Sequence, residues 1–417
     1  MNTMLIPENE YFTRNNCRIC DSPNLRTFLS LGKTPLANSL LKKDVLDNPE
    51  KYYPLEVCIC EKCSLVQLHH VVYPEVMFKD YVYITGASAP MKKHFTQFAI
   101  SVSQKYQLDK KSLVVDIGSN DGTLLSQFMA LGIPVLGIEP ADNIAELANQ
   151  NGIRTLNMFF NDDTAKQVVK KYGQADVIIA TNVFAHVDNI TNFVAGVAQL
   201  LKDSGVFIIE FPYLLNLLMN IEFDTIYHEH LSYLAIHPLV VLFDQYNMSI
   251  VDIQEKQVHG GSLRVFVQKK KGINKILEKY LTHEKEFGIQ EYQTYTKFAK
   301  QVEQLRDDLL DLLKKLKADK KKITGYGAPA KGNTLLNYAN IKTDYIDYIV
   351  DATSFKQGKY TPGTHIPIFS ETKLQEELPD YCLLLAWNYL NYVLEKEKQY
   401  RNKNGKFIVP IPTPKIV

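Results

Sequence analysis

Short apolar runs alternate with amphipathic stretches through the middle of the chain. The runs "LVVDIG", "PVLGIE", "ADVIIAT" and "GVFIIEF" have the length of buried strands, and helically spaced apolar residues lie between them. The less apolar segment "IRTLNMFF" is a further candidate strand. This alternation predicts an α/β fold with a doubly wound parallel sheet, in which a ligand binds at the carboxyl ends of the strands.

The pattern changes after residue 268. Residues 273–318 are rich in charge, and the leucine spacing of "LRDDLLDLLKKLKA" predicts a long amphipathic helical connector. The stretches "ITGYGAPAKGNTLLNYA" and "YIDYIVDAT" then repeat the order of strand, glycine turn, helix and strand. We therefore predict a C-terminal Rossmann-like domain over residues 269–417, after an N-terminal domain (1–75) and a central domain (76–268).

Five of the six cysteines lie near the N-terminus, and four of them form the C-x-x-C pairs "CRIC" and "CEKC". Each pair can aim two sulfurs at one point, and two pairs complete the tetrahedral shell of a structural Zn²⁺. A redox pair and ordinary core thiols are the alternatives. The predicted zinc ligands are Cys17, Cys20, Cys60 and Cys63. Cys58 is predicted to lie outside the shell because only one residue separates it from Cys60.

Composition excludes several classes of function. Hydrophobic residues make up 46% and charged residues 22% of the 417, and the formal net charge is +1. No global field therefore favours nucleic acid or an anionic membrane. Apolar runs fall short of the roughly 20 residues that span a bilayer, and the N-terminus lacks signal-peptide character. We expect a cytoplasmic monomer with reduced thiols.

The turn after the first central strand reads D-I-G-S-N-D-G, and an acidic residue ends the next strand about twenty residues later. A dinucleotide fold requires G-x-G-x-x-G, whereas this pattern is typical of S-adenosylmethionine (SAM) sites, in which the second acidic residue accepts the ribose hydroxyls. The alternative is an α/β domain without a cofactor. The candidate cofactor-binding residues are Asp116, Gly118, Ser119, Asn120, Glu139 and Asn182.

The choice of methyl acceptor depends on histidines. The Asn/Asp-Pro-Pro-aromatic signature of amino-group methylation is absent after the fourth strand, and Cys58 and Cys382 do not follow a proline, as a pyrimidine-attacking cysteine usually does. His186 follows the fourth strand instead, and "YHEHLSY" (residues 227–233) lies in a loop that can cover the same cleft. A carbon acid needs a base and donors for its enolate. Proton transfer is the favoured role of the motif, with a second metal site and simple packing as alternatives.

Six motifs occur in order along nearly the whole chain: "CRIC…LGKTPLANSLL…CEKC", "DYVYITGAS", "VVDIGSNDGTLL", "IEFDTIYHEHLSY", "HGGSLRVF" and "YGAPAKGNTLLN". Together they resemble the nucleotide-sugar C-methyltransferases that make branched deoxysugars of the tetronitrose and mycarose type. The resemblance implies a zinc domain, a SAM domain and a Rossmann-like C-terminal domain. It further implies methylation at C3 of a nucleoside-diphosphate 4-keto-deoxysugar. The residues it implies in catalysis are His230 as the base, Tyr227, Glu229, His186, Tyr81 and Tyr83.

The C-terminal glycine turn is a candidate anion site. It reads G-Y-G-A-P-A-K-G-N, which matches neither a dinucleotide turn nor a P-loop. A sugar-nucleotide diphosphate is the expected occupant, and a purely structural turn with surface lysines is the alternative. The candidate substrate-binding residues are Lys331, Asn333, Lys356, Lys359 and Arg264.

Two other functions remain open at this point. One is N- or O-methylation of an amino or hydroxy sugar or another small molecule, which would not need His230 as a base. The other is a binding protein in which the zinc domain recognises a macromolecule.

Overall fold

The computed structural model describes residues 10–77, 85–87, 89–258, 260–270, 272 and 274–417. Its N-terminal part consists of short antiparallel strands around the cysteines. The elements are β1 Tyr11–Thr13, β2 Leu25–Thr34, β3 Tyr53–Cys60, β4 Val66–Leu68, β5 His70–Val72 and the short helix α1 Pro74–Met77. Strands β2, β3 and β4 form one antiparallel sheet, and β1 pairs separately with β5.

The central part is the predicted doubly wound α/β unit. Its elements are α2 Ala89–Lys105, β6 Val114–Ile117, α3 Thr123–Ala130, β7 Val135–Glu139, α4 Asp142–Gln150, β8 Thr155–Asn157, α5 Asp162–Tyr172, β9 Ala175–Thr181, α6 Ile190–Leu200, β10 Leu201–Pro212, α7 Leu214–Met219, β11 Ser232–Tyr233, α8 Ile236–Asp244, β12 Ser249–Lys256 and β13 Ser262–Gln268. The described strands of its sheet have the order β12-β13-β10-β9-β6-β7-β8.

Five of these strands are parallel, from β6 to β10, and β13 and β12 continue the sheet in antiparallel pairing. The inner strand β9 is buried almost throughout, as its continuous apolar run predicts. The candidate strand "IRTLNMFF" forms only the three-residue edge strand β8. The strand and helix pattern thus predicted the parallel core, which confirms the fold class.

The N-terminal and central parts share a sheet. Strand β11, at the end of "YHEHLSY", pairs antiparallel with β4 through Ser232 opposite Gln67. The amide of Leu68 also donates to the carbonyl of Leu231 at 3.0 Å. The histidine-rich loop is therefore anchored on the cysteine domain rather than on the central sheet alone.

The charge-rich connector is two helices, α9 Lys275–Phe287 and α10 Tyr292–Ala318. Gly288 ends α9 in the left-handed conformation (φ +84°), which a glycine adopts without a Cβ penalty. Leu305, Leu309 and Leu313 of α10 are buried at the predicted helical spacing. The predicted helical connector is present, interrupted by one tight turn.

The C-terminal part is a second α/β unit. Its elements are β14 Ile323–Tyr326, α11 Ala330–Tyr338, β15 Ile349–Val350, β16 Ile368–Phe369, α12 Thr372–Glu377, β17 Tyr381–Leu384, α13 Leu390–Lys396, α14 Lys398–Asn402, β18 Lys406–Val409 and β19 Lys415–Ile416. The described strands lie in the order β16-β15-β14-β17-β18-β19, all parallel except the last pair. None of the helices in the described ranges is long and apolar enough to cross a membrane.

Candidate functional site

Four cysteine sulfurs converge in the N-terminal domain. The Sγ atoms of Cys17 and Cys63 lie 3.4 Å apart, and those of Cys20 and Cys60 lie 3.5 Å apart. All four sulfurs lie within 4.8 Å of one another. Zn–S bonds of about 2.3 Å in a tetrahedron place sulfurs about 3.8 Å apart, so this donor set fits Zn²⁺.

The two C-x-x-C pairs have matching local geometry. Each is closed by a residue with positive φ, Asp21 (56°) and Ser64 (61°), whose amides donate to the carbonyls of Cys17 and Cys60. Cys58 lies outside the cluster, and its thiol donates to the carbonyl of Gln67. Four thiolates leave no open position on the metal, so this is a folding site and not a catalytic one.

The predicted cofactor turn lies at the carboxyl end of β6. Gly118 has φ +67°, and a Cβ there would lie 2.4 Å from the side chain of Val183, so the turn requires glycine. Glu139, at the end of β7, accepts hydrogen bonds from the amides of Asn120 (2.9 Å) and Ala141 (3.0 Å). These two bonds fix the carboxylate at the edge of the cleft, where a ribose is expected.

Two buried polar atoms of this turn are suited to binding a ligand. Among the described residues, the buried Asp116 Oδ1 and Ser119 Oγ have no hydrogen-bond partner. Burial raises the pKa of Asp116 well above its usual value, with a smaller contribution from Glu139, and burial also raises the pKa of Glu139. Buried polar atoms are normally satisfied, so the turn fits SAM, whose polar groups would supply these partners.

Two further segments border the cleft. Asn182, just after β9, has φ +56°, and its amide donates to the carbonyl of Glu210 at 2.7 Å. The amide of Thr85 donates to Asn120 Oδ1 (2.9 Å) and the amide of Gly86 donates to Asp121 Oδ2 (3.0 Å). The last two contacts were not predicted, because nothing in the local pattern pairs residues 35 positions apart.

His230 is held in one tautomer. Its Nδ1 lies 2.8 Å from the carbonyl oxygen of Thr225, and its Nε2 lies 2.8 Å from the hydroxyl of Tyr227. A carbonyl oxygen only accepts, so Nδ1 carries the proton in the neutral ring. Nε2 is then the acceptor, and its lone pair receives the tyrosine hydrogen. This is the state that a general base requires.

His186 lies against His230. The two rings meet edge to face with centroids 4.9 Å apart. The carbonyls of Glu229 and Asn182 are hydrogen-bond partners of the His186 ring, but withdrawal from solvent outweighs them and lowers its pKa to about 4. The amide of Leu231 donates to the carbonyl of Ala185 at 2.8 Å, which ties the two histidine segments together. His186 is therefore neutral near pH 7.

The remaining members of the motif differ in role. Glu229 is buried, its Oε1 accepts from Asn38 Nδ2 at 2.6 Å, and burial raises its pKa to about 7. His228 packs edge to face on Tyr53, and burial lowers its pKa to about 4. His237 faces the carbonyl of Cys63 at 3.2 Å. The rings of His228 and His237 thus contact backbone carbonyls of the zinc domain, whereas Tyr81 and Tyr83 lie outside the described residues.

Arg264 lies on β13 and is buried against α2. It is 2% exposed, and it donates to Glu210 Oε2 at 2.8 Å while its guanidinium stacks 3.7 Å from the ring centroid of Phe98. His94 completes the cluster, with Nε2 2.7 Å from Glu210 Oε1. The predicted role of Arg264 in substrate binding stays a prediction, and these contacts indicate that it also fixes α2 on the sheet.

Lys331 lies between the central and C-terminal parts. Its ammonium group is 3.9 Å from the centroid of Trp387, whose Nε1 donates to Asp224 Oδ2 at 2.7 Å. Burial lowers the pKa of Lys331 to about 8, although Asp224 and Glu222 oppose that shift. The two carboxyl groups have pKa values raised by burial to about 6 and about 7. Lys331 thus lies within electrostatic reach of two buried carboxyl groups, an arrangement that the sequence pattern did not predict.

The other candidate substrate residues surround the C-terminal turn. Lys356 Nζ donates to the carbonyl of Ala328 (2.9 Å) and lies 3.3 Å from Asp351, while the amide of Ala328 donates to Asp351 (2.7 Å). Lys359 lies over the ring of Phe355. Asn333 is buried and donates to the carbonyl of Ala37 at 2.7 Å. A carboxylate therefore occupies one amide of the turn, and the diphosphate contact of these residues stays a prediction.

Three family models match consecutive segments that together cover most of the chain. They are a zinc binding domain over residues 17–78, a methyltransferase domain over 92–253 and a C-methyltransferase C-terminal domain over 257–412. The C-methyltransferase NovU of Streptomyces niveus is 36% identical over 97% of this chain and 97% of its own length.

More distant matches cover parts of the chain. A ubiquinone biosynthesis O-methyltransferase of Rhodopseudomonas palustris (strain BisA53) is 25% identical over 30% of this chain and 54% of that protein. The solved magnesium protoporphyrin IX methyltransferase of Synechocystis PCC 6803 has 13% identity and a TM-score of 0.32 over 46% of this chain and 88% of that one. These partial matches carry no weight for the acceptor, whereas the full-length match does identify the family. The chain belongs to the family of C-methyltransferases that includes NovU, and it is a SAM-dependent methyltransferase with a structural zinc domain.

Proposed function

We propose that the chain methylates a carbon next to the ketone of a nucleoside-diphosphate 4-keto-deoxysugar, most simply C3. The single observation that carries the proposal is the tautomer of His230. Nδ1 is fixed on the carbonyl of Thr225, which leaves Nε2 as a basic lone pair facing the Tyr227 hydroxyl. Methylation at oxygen or nitrogen needs no such base for a C–H bond, whereas methylation of a carbon acid does.

The reaction begins with the proton on the carbon beside the ketone. The substrate displaces the Tyr227 hydroxyl from His230 Nε2, and Nε2 then takes that proton while the C–H electrons move toward the ketone oxygen. The displaced hydroxyl becomes available to donate to the enolate oxygen, where negative charge accumulates. Neutral His186, in contact with His230, supports the site without adding a competing positive charge.

Bound SAM supplies an electrophilic methyl group. The enolate carbon would take that methyl as the methyl–sulfur bond breaks and S-adenosylhomocysteine leaves. The ketone is restored, and His230 then releases its proton to solvent. Glu139, Asp116 and Ser119 would hold the ribose and aminoacyl groups of SAM at the ends of β6 and β7. The acceptor sugar then lies between this turn and the histidine loop.

The nucleotide-sugar part of the proposal rests on the ordered motifs and on the C-terminal glycine turn. The experiment that tests it incubates the enzyme with labelled SAM and a panel of 4-keto nucleotide sugars, matched 4-hydroxy sugars and an amino sugar. We expect label only in the ketone-bearing compounds, with carbon NMR locating the methyl on a carbon next to the ketone. Transfer to a hydroxyl or an amine, with ketones inert, would contradict the proposal.

A further inference from the structure

One loop of the zinc domain lies between the other two parts of the molecule. It spans residues 34–41, and the C-terminal part holds it at two points. Asn333 Nδ2, on α11, donates to the carbonyl of Ala37 at 2.7 Å, and both residues are buried. Leu41 and Tyr360 exchange two backbone hydrogen bonds of 2.9 Å. These contacts fix the loop from residues about 300 positions away in the sequence.

The residue between these two anchors reaches the histidine loop. Asn38 Nδ2 donates to Oε1 of Glu229 at 2.6 Å. Glu229 is only 7% exposed, so its carboxyl group has little access to water. Because the C-terminal part holds the loop on both sides of Asn38, at Ala37 and at Leu41, this amide donor is a rigid partner for that carboxyl. The hydrogen bond that the Asn38 amide donates favours the ionised form of Glu229.

From these contacts we infer that Asn38 is a positioning residue for Glu229, and that Asn333 sets its place through the carbonyl of Ala37. This inference rests on the proposed function, in which Glu229 neighbours the base His230. It assigns to the zinc domain a part in the active site, and to Asn333 a role distinct from substrate binding.

The consequence for the reaction is electrostatic. Burial alone would leave Glu229 protonated near neutral pH, and the Asn38 bond opposes that effect. When His230 takes a proton it becomes an imidazolium, and a nearby carboxylate in a poorly solvated site stabilises this charge. His186 packs against His230 and His228 belongs to the same loop, and both are neutral because burial lowers the pKa of each to about 4. Glu229 is thus the group near His230 whose charge depends on Asn38.

The test uses Asn38→Leu, which keeps a similar volume but has no donor. A hydrogen bond to a charged group is worth at least about 1.5 kcal/mol, which corresponds to a pKa change of about one unit. We expect carbon NMR of labelled glutamate to show the Glu229 titration about one unit higher in this variant. We also expect kcat near pH 7 to fall about fivefold, because the ionised fraction of Glu229 falls from about one half to about one tenth, and the acidic limb of the pH profile to move upward, with zinc content and SAM affinity unchanged. Asn48→Leu is the matched control, since Asn48 is an exposed asparagine in the same segment between β2 and β3. This variant should behave as the wild type does.

Two more variants separate positioning from mere folding. In a Glu229→Gln background, Asn38→Leu should change kcat by less than about twofold, because the group through which it acts is already neutral. Asn333→Leu should speed hydrogen exchange at residues 36–40 and reproduce part of the Asn38→Leu shift. An unchanged Glu229 titration in Asn38→Leu, or an undiminished effect in the Gln background, would overturn the inference. The NMR and exchange measurements need no acceptor, so they stand even if the sugar panel contradicts the proposed function.

Discussion

Glu139→Ala is predicted to weaken SAM binding severely while leaving the fold intact. Glu139 ends β7, and its two oxygens are held by the amides of Asn120 and Ala141. In that position the carboxylate can accept both ribose hydroxyls. Hydrogen bonds to a charged group contribute about 1.5–3 kcal/mol each. Two of them together contribute at least about 3 kcal/mol, so the dissociation constant should rise at least about 100-fold.

The effect on stability should be small because two contributions oppose each other. Removing the side chain takes the acceptor away from the two amides, which costs two hydrogen bonds. It also removes a carboxyl group whose ionised form is disfavoured by burial, as its raised pKa indicates. Thermal unfolding of the ligand-free protein should therefore change little, so a loss of affinity can be assigned to the missing ribose contacts.

Calorimetric titration with SAM and with S-adenosylhomocysteine measures the change. Glu146→Ala is the matched control, since Glu146 is an exposed carboxylate on the helix that follows. We expect the control to bind as the wild type does. If the dissociation constant of Glu139→Ala stays within threefold of the wild-type value, the ribose lies elsewhere and the assignment of the cofactor turn is wrong.

Three other perturbations test separate parts of the structure. Cys60→Ser should reduce zinc from one ion per chain to none and unfold the N-terminal domain, whereas Cys58→Ser should retain the metal. Metal analysis measures the zinc content of both variants, and zinc retained by Cys60→Ser would refute the four-cysteine shell. His228 has its pKa lowered to about 4, so its stabilising contribution is complete above the unfolded value of about 6.5 and is lost as pH falls toward 4. The free energy of unfolding should therefore fall by on the order of 2 kcal/mol by pH 5. His228→Asn should remove this part of the pH dependence, measured by urea unfolding at constant zinc content. An unaltered pH dependence in the variant would contradict the assignment to His228. Lys331→Met removes a cation that favours the ionised form of two buried carboxyl groups, so it should destabilise the protein by about 1–2 kcal/mol at pH 7.5 and by less at pH 5, where both acids are protonated; a penalty that does not depend on pH would exclude this coupling.

The sequence was most informative where a local pattern implies a local geometry. The alternation of apolar runs predicted β6, β7, β9 and β10 and their parallel order, because buried parallel strands read as continuous apolar segments. The C-x-x-C spacing predicted four ligands that do converge. In both cases the chemistry is contained in a few consecutive residues.

Contacts between distant segments could not be predicted in this way. Nothing near Asn38 indicates that it meets Glu229, 191 positions away, and nothing near Lys331 indicates its buried carboxylate partners. The C-terminal glycine turn predicts a diphosphate contact at Lys331, which stays a prediction, whereas the carboxyl groups near this lysine come from a distant segment of the central part. The tautomer of His230 likewise depends on a carbonyl, that of Thr225, which carries no side-chain signal.

Hydrogen exchange at the acceptor carbon tests the central claim most directly. In heavy water, with S-adenosylhomocysteine in place of SAM, the enzyme should exchange the proton beside the ketone of the proposed substrate, a 4-keto sugar nucleotide. His230→Asn keeps a hydrogen-bonding side chain but no base near neutral pH, so exchange and turnover should both fall by about 10²–10⁴-fold while SAM affinity stays near the wild-type value. If the His230→Asn enzyme exchanges this proton at the wild-type rate, the account is contradicted and the base is another residue.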